Sequence, residues 1–174
     1  EGVLERLVAA DARPLVPEVG MNVAGATPYA EAPGEVAAVE GRVTRTLSGL
    51  RPNRGVRFGA SSHVARFLLA AREEEPALRF AANCRMGDVV REALGELGWS
   101  VASFDRDDQP PEVAAGEGST MGWGARRAVA AVEGTPAAVV DGGAVGKEPI
   151  ARLLAPTAGE LGDRALALLD ALSG

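Results

Sequence analysis

Residues 58–66, reading FGASSHVAR, pass from a β-forming segment through a glycine turn into a helix. VRF (56–58) has strand character, and Gly59-Ala60 makes a tight connection. Ser61 or Ser62 can then cap the Ala-rich apolar run that continues to about Arg72. A strand that turns on glycine into a capped helix leaves backbone N–H groups converging on one point. The helix dipole makes that point positive, so a phosphate is readily held there. His63, the one histidine of the chain, falls in the first turn of this helix. A neutral imidazole there can accept or give a proton, and a protonated one can bind an anion. The same pattern also describes an ordinary helix start, so the remaining residues must decide.

At 174 residues the chain is long enough for one domain with a substantial core and no disulfide staples. With 47% apolar residues and only 4% aromatic ones, that core must come from Ala, Val and Leu. A net charge of −6 argues against a nucleic-acid surface, although local basic residues can still line an anionic pocket. Cys84 is the single cysteine, so neither an intrachain disulfide nor a multi-cysteine metal site is available. A reducing, cytoplasmic setting fits best. No signal peptide and no apolar run of about 20 residues is present, so no membrane partner is expected. Because it opens on Glu1 rather than methionine, 1–174 reads as a single domain processed or excised from a longer chain.

Helical spacing covers 3–12, and MNVAGA (21–26) reads as a first strand. VAAVEGRVTRTL (36–47) reads as a strand pair or a bent strand broken at Gly41, with a turn at 50–55. LRFAANC (78–84) is a strand, DVVREALGELG (88–98) an amphipathic helix and WSVASFDR (99–106) another strand. A glycine-rich loop is expected over 115–124, then a helix (125–132), a strand (137–140), a second glycine-rich turn (141–149) and a closing helix (159–172). Strands and helices alternate only in part. The expected class is therefore α/β, a three-layer α/β/α arrangement around a mixed sheet, not a doubly wound parallel fold.

Three glycine-rich connections follow strand candidates: 59–62, 116–124 and 141–149. Each alone is explained by turn chemistry, but together they suggest strand ends meeting at one cleft lined by N–H donors. GGAVGK departs from a P-loop because Glu148 stands where Ser or Thr is required and Pro149 follows, so an ATPase is excluded. Lys147 can still act as a point charge toward phosphate. A histidine zinc set is excluded by count, and Ser62 and His63 are neighbours that cannot face each other as a triad. Asp105 at a strand end is the better magnesium candidate, Asp107 and Asp108 reading as a solvated loop. Arg42, Arg57 and Arg66 are candidates for bidentate phosphate contacts, and Trp123 for stacking on a flat heterocycle or for core packing.

VPEVGMNV (16–23), EVAAVEGRV (35–43), FGASSHVAR (58–66), SFDR (103–106), EGSTMGWG (117–124) and GAVGKEPI (143–150) occur in one order. Together they resemble the archaeal-type thiamine-phosphate synthase domain called ThiN, usually fused behind a hydroxymethylpyrimidine phosphate kinase. The resemblance implies a fold similar to class II (AraD-like) aldolases. It also implies a reaction joining hydroxymethylpyrimidine diphosphate to hydroxyethylthiazole phosphate, with release of pyrophosphate. It makes Arg42 and His63 the catalytic pair. The phosphate- and substrate-binding set it implies is Asn22, Gly59, Ala60, Ser61, Ser62, Arg66, Asp105, Trp123, Gly124, Gly143, Gly146 and Lys147. Mg2+ is the implied cofactor, with no assigned ligands. The implied partners are the phosphorylated pyrimidine and thiazole substrates, with a fused kinase domain and a homo-oligomer as further options. Gly142 departs from the longer side chain, frequently Arg, that such domains carry. The alternative function is a thiamine-phosphate-sensing module of a transcriptional regulator.

Overall fold

Small apolar side chains alternating along short segments decide the strands here, since the chain has few rings with which to fill a core. The computed structural model describes residues 1–114, 116 and 119–173. The chain runs α1 (Gly2–Ala9), β1 (Val23–Ala26), β2 (Val36–Val39), β3 (Val43–Thr46), β4 (Gly49–Pro52), β5 (Val56–Phe58), α2 (Ser62–Glu74) and β6 (Phe80–Arg85). It continues through α3 (Asp88–Glu96), β7 (Val101–Phe104), α4 (Pro111–Ala114), α5 (Ser119–Ala130), β8 (Ala138–Asp141), β9 (Ile150–Ala155) and α6 (Ala158–Ala171). Seven strands form a mixed sheet in the order β5-β2-β1-β6-β9-β8-β7, and β3 pairs with β4 in a separate hairpin. Every pairing in the large sheet is antiparallel except β7 with β8.

Helices cover both faces of the sheet. Leu7 of α1, Val90 and Leu94 of α3, and Leu161 and Leu168 of α6 pack against one face. Phe67 and Leu68 of α2, with Met121, Ala125 and Val129 of α5, pack against the other. The expected α/β class with a mixed sheet is what the chain adopts.

Four local expectations differ from the structure. The turn expected over 50–55 begins instead with β4 (Gly49–Pro52), which pairs antiparallel with β3 so that the tight turn falls at 46–49. The break at Gly41 separates two sheets, β2 joining the large one and β3 the hairpin. IARLLA (150–155), not recognised as a strand in the sequence, is β9, and it is buried along its whole length between β6 and β8. The glycine loop expected over 115–124 becomes α5 from Ser119 onward, while Ala115, Glu117 and Gly118 lie outside the described residues.

Gly122 and Gly124 each cost helix stability, by about 1 kcal/mol relative to alanine, and at Gly124 packing outweighs that cost. At Gly124 a Cβ would lie 2.5 Å from the Phe104 ring, whereas at Gly122 it would press only on the tip of Arg126 at 3.2 Å and reach ordinary contact with Ala70 at 3.8 Å. Gly124→Ala should therefore destabilise the fold by about 1–3 kcal/mol through overpacking. Thermal melting checks this, with Gly122→Ala, which should melt no lower than wild type, as the control.

Candidate active site

On the face under α2 and α5, Ala24, Ala81 and Leu154 are buried and apolar. The two-residue period of a strand keeps Asn22, Asn83 and Arg152 on that same face, two positions toward one end. Asn83 is the register partner of Arg152, and its N–H donates to the Asn22 carbonyl at 3.2 Å. The face thus changes from apolar to polar in one step across neighbouring chains. These three residues form the floor of a cavity of about 730 Å3.

The N-terminus of α2 supplies one wall, with Ala60 through Val64 lining the cavity. Gly59 adopts φ +70, the left-handed turn that brings the chain from β5 into this helix. Ser61 is the N-cap but makes no side-chain cap hydrogen bond, so first-turn N–H groups keep their donors for another acceptor. His63 faces the same space. Burial, and then the charges of Arg152, Arg42, Arg66 and Arg106, push its imidazole below the ordinary histidine range. It is therefore neutral near pH 7.

Arg42 follows β2 at the edge of the cavity, its stem lying over Gly20, where a Cβ would come within 2.8 Å of it. Asn22 fixes that turn. Its Nδ2 donates to the carbonyls of Val39 at 3.0 Å and Gly41 at 3.1 Å, and its Oδ1 accepts the Val39 N–H at 3.0 Å. The asparagine side chain is consumed by the backbone, so Asn22 positions Arg42. Among the described residues Arg42 and Arg66 form no ion pair.

The opposite wall rests on Asp141, which is fully buried at the end of β8. Arg106 donates to it twice, from Nε at 2.8 Å and Nη2 at 2.6 Å, and Arg152 donates from Nη1 at 3.3 Å. The Arg152 guanidinium also stacks 4.8 Å above the Phe67 ring and donates to the Met121 sulfur at 3.1 Å. The β8–β9 loop closes over this side with Gly146 and Lys147. Glu148 ties it down by accepting the N–H groups of Glu18 and Val19 at 2.9 and 3.2 Å.

Of the residues expected from sequence, the fold gathers Asn22, Arg42, Ala60, Ser61, Ser62, His63, Gly146 and Lys147 on one cavity. Gly59, Arg66, Asp105, Trp123, Gly124 and Gly143 do not line it. Asp105 is exposed and accepts the Asp107 N–H at 2.9 Å, capping a short 3-10 turn. Trp123 lies on α5, edge-on to Phe104 with ring centroids 6.0 Å apart. Gly143 donates to Asp141 at 3.0 Å, and Arg57 pairs with Glu40. Asn83, Arg106, Asp141 and Arg152 were not anticipated. The available signal was a polar residue inside an apolar strand, as in IARLLA.

Among the described residues, Arg42, Arg106, Lys147 and Arg152 line the cavity against one lining carboxylate, Glu148. In a chain of net charge −6 this concentration of cations marks an anion site. A resident divalent metal fits poorly, because Asp105, Asp141 and Glu148 already accept hydrogen bonds from the protein, and no three-residue His/Cys/Asp/Glu cluster occurs among the described residues.

The family model described as thiamine-phosphate synthase ThiN matches residues 1–167. The chain belongs to the ThiN family. A thiamine-phosphate synthase ThiN of Methanothermobacter thermautotrophicus is 34% identical over 155 residues, covering 89% of this chain and 82% of that protein. The bifunctional thiamine biosynthesis protein ThiDN of Methanocaldococcus jannaschii is 36% identical over 141 residues, 80% of this chain but 32% of that longer protein. Among solved structures, the C-terminal domain of a phosphomethylpyrimidine kinase superposes with a TM-score of 0.92 at 30% identity. That match covers 96% of this ThiN chain and 94% of the other.

Proposed function

We propose that this chain is a thiamine-phosphate synthase, a transferase that joins hydroxymethylpyrimidine diphosphate to hydroxyethylthiazole phosphate and releases pyrophosphate. The observation that carries this reading is the cationic cavity lined in common by Arg42, His63 and the N-terminus of α2. The thiazole nitrogen attacks the pyrimidine methylene, that carbon's bond to the diphosphate oxygen breaks, and the electron pair leaves on the diphosphate. Arg42 and the first-turn N–H groups, with Ser61 and Ser62, stabilise the charge that develops there. His63 is neutral in the free protein, and a bound diphosphate raises its proton affinity by opposing the arginine charges. The imidazole then holds a proton for the departing oxygen. The thiazole nitrogen needs no general base, so positioning supplies much of the rate.

Any Mg2+ is best placed on the substrate diphosphate, as this ion commonly binds through phosphates while keeping several waters. The AraD-like likeness is proposed for architecture alone, since one histidine cannot supply that fold's metal set. A cytoplasmic setting is proposed as well, in keeping with the buried Cys84 thiol, whose pKa burial raises to about 12. No helix among the described residues is long and apolar enough to cross a membrane. The bifunctional name of the ThiDN relative supports a kinase domain as a covalent partner. Self-association is left to measurement.

Incubating the chain with both phosphorylated substrates and Mg2+ should yield thiamine phosphate and pyrophosphate. Binding of thiamine phosphate without any turnover would instead support the sensor reading, which the synthase and biosynthesis names of both curated relatives disfavour. The single histidine allows a second check by NMR. The His63 resonance should titrate below about 6.5 in the free protein. It should move upward when pyrophosphate is added, so pyrophosphate binding takes up a proton near that pH.

A further inference from the structure

The wall built on Asp141 differs in charge balance from the surroundings of Arg42, which forms no ion pair among the described residues. We infer that Arg106, pinned by Asp141 and backed by Arg152, forms a second anion subsite that takes a phosphomonoester. Under the synthase reading, on which this rests, that group is the unreacting phosphate of hydroxyethylthiazole phosphate.

Three observations carry the assignment. Arg42 follows β2 whereas Asp141 ends β8, four strands further across the sheet. At the usual strand spacing those two elements are roughly 19 Å apart, so the two arginine groups enter the cavity from different sides. His63 lines the same cavity as both arginine groups.

The second observation is charge. Two guanidinium groups share one buried carboxylate, leaving one positive charge at this pole, and Lys147 is a further cation on the same cavity. That suits a phosphomonoester of about −1.5 to −2. The more highly charged diphosphate is better matched to Arg42 and the N–H groups of α2, where no protein carboxylate forms an ion pair with Arg42 among the described residues.

The third is rigidity. Both Nε and Nη2 of Arg106 are committed to Asp141, so its remaining N–H groups are presented to the cavity in one orientation. A preorganised cation of this kind binds a group equally well before and during reaction, which lowers KM without being specific to the transition state.

The test is steady-state kinetics of Arg106→Gln with each substrate varied in turn. The KM for hydroxyethylthiazole phosphate should rise about tenfold or more, the size expected for losing a hydrogen bond to a charged group. The KM for the pyrimidine diphosphate should move by less than threefold. Equal rises in both, or no rise for the thiazole, would overturn the assignment while leaving the synthase reading intact, because wild-type turnover tests that reading separately. Thr120→Glu guards against a folding failure at Arg106. Thr120 lines the cavity and bonds to Gln109 at 2.8 Å, so a carboxylate there offsets this pole without removing a buried partner. It too should raise the thiazole KM selectively, and an unchanged value would sink the inference.

Discussion

His63→Ala should lower kcat/KM for thiamine phosphate synthesis by about 10²–10⁴, the usual worth of a positioned general acid. The imidazole is exposed to the cavity and contributes little apolar burial, so circular dichroism and thermal melting should stay near wild type. Arg42→Ala should cost about 10²–10³, comparable to removing one donor from a charge-stabilising cradle. Arg42→Lys keeps the charge but not the planar fork, and only part of the activity should return. Activity of His63→Ala within tenfold of wild type would remove the histidine from the chemistry.

The largest stability effect should come from Asp141→Ala. Its carboxylate is the common partner of Arg106 and the deeply buried Arg152. Removing one member of a buried ion pair strands the other charge, at a cost of about 3–5 kcal/mol. For a chain of this size that corresponds to a fall in Tm of roughly 10 °C. The pH dependence has a defined sign. Burial alone would raise the Asp141 carboxyl, but the Arg106 hydrogen bonds, the Arg152 charge and the Gly143 N–H outweigh it and carry it below the ordinary range. Its stabilisation is therefore complete above the unfolded value of about 3.9 and is lost as pH falls through the lower folded value. The gap in stability between wild type and Asp141→Asn should accordingly narrow in acid. A gap that widens there would contradict the ion-pair assignment.

The residues around FGASSHVAR were legible because their information is local. A glycine turn, a serine cap and an apolar helical run are set by neighbours in the chain, and α2 begins where they place it. Arg42 was also readable, from its place at the Gly41 break. The strand β9 was not, because Ala, Leu and one Arg carry no β-branched alternation after Ile150 and only burial between two neighbours makes them extended. The helix α5 was hidden by its two glycines, of which Gly124 answers to the Phe104 ring from another element of the fold. Asp105 and Arg106 show the limit most clearly. They are adjacent at one strand end, yet a difference of one position sends the first to cap a turn and the second to line the cavity. Whether a polar side chain beside that turn is bound or solvated depends on Asp141, 35 residues later.

The switch from Ala24, Ala81 and Leu154 to Asn22, Asn83 and Arg152 has an evolutionary reading. One end of the sheet holds the molecule together by exclusion of water, while the other does so through the hydrogen bonds of Asn22 and Asn83 to the backbone and the pairing of Arg152 with Asp141. Changes at Ala24 or Leu154 should register as altered melting with kinetics intact. Exchanges along the asparagine row should lower the melting temperature too, because they leave buried backbone groups without partners. Altered selectivity written into the floor of the cavity would thus cost a laboratory-evolved variant stability.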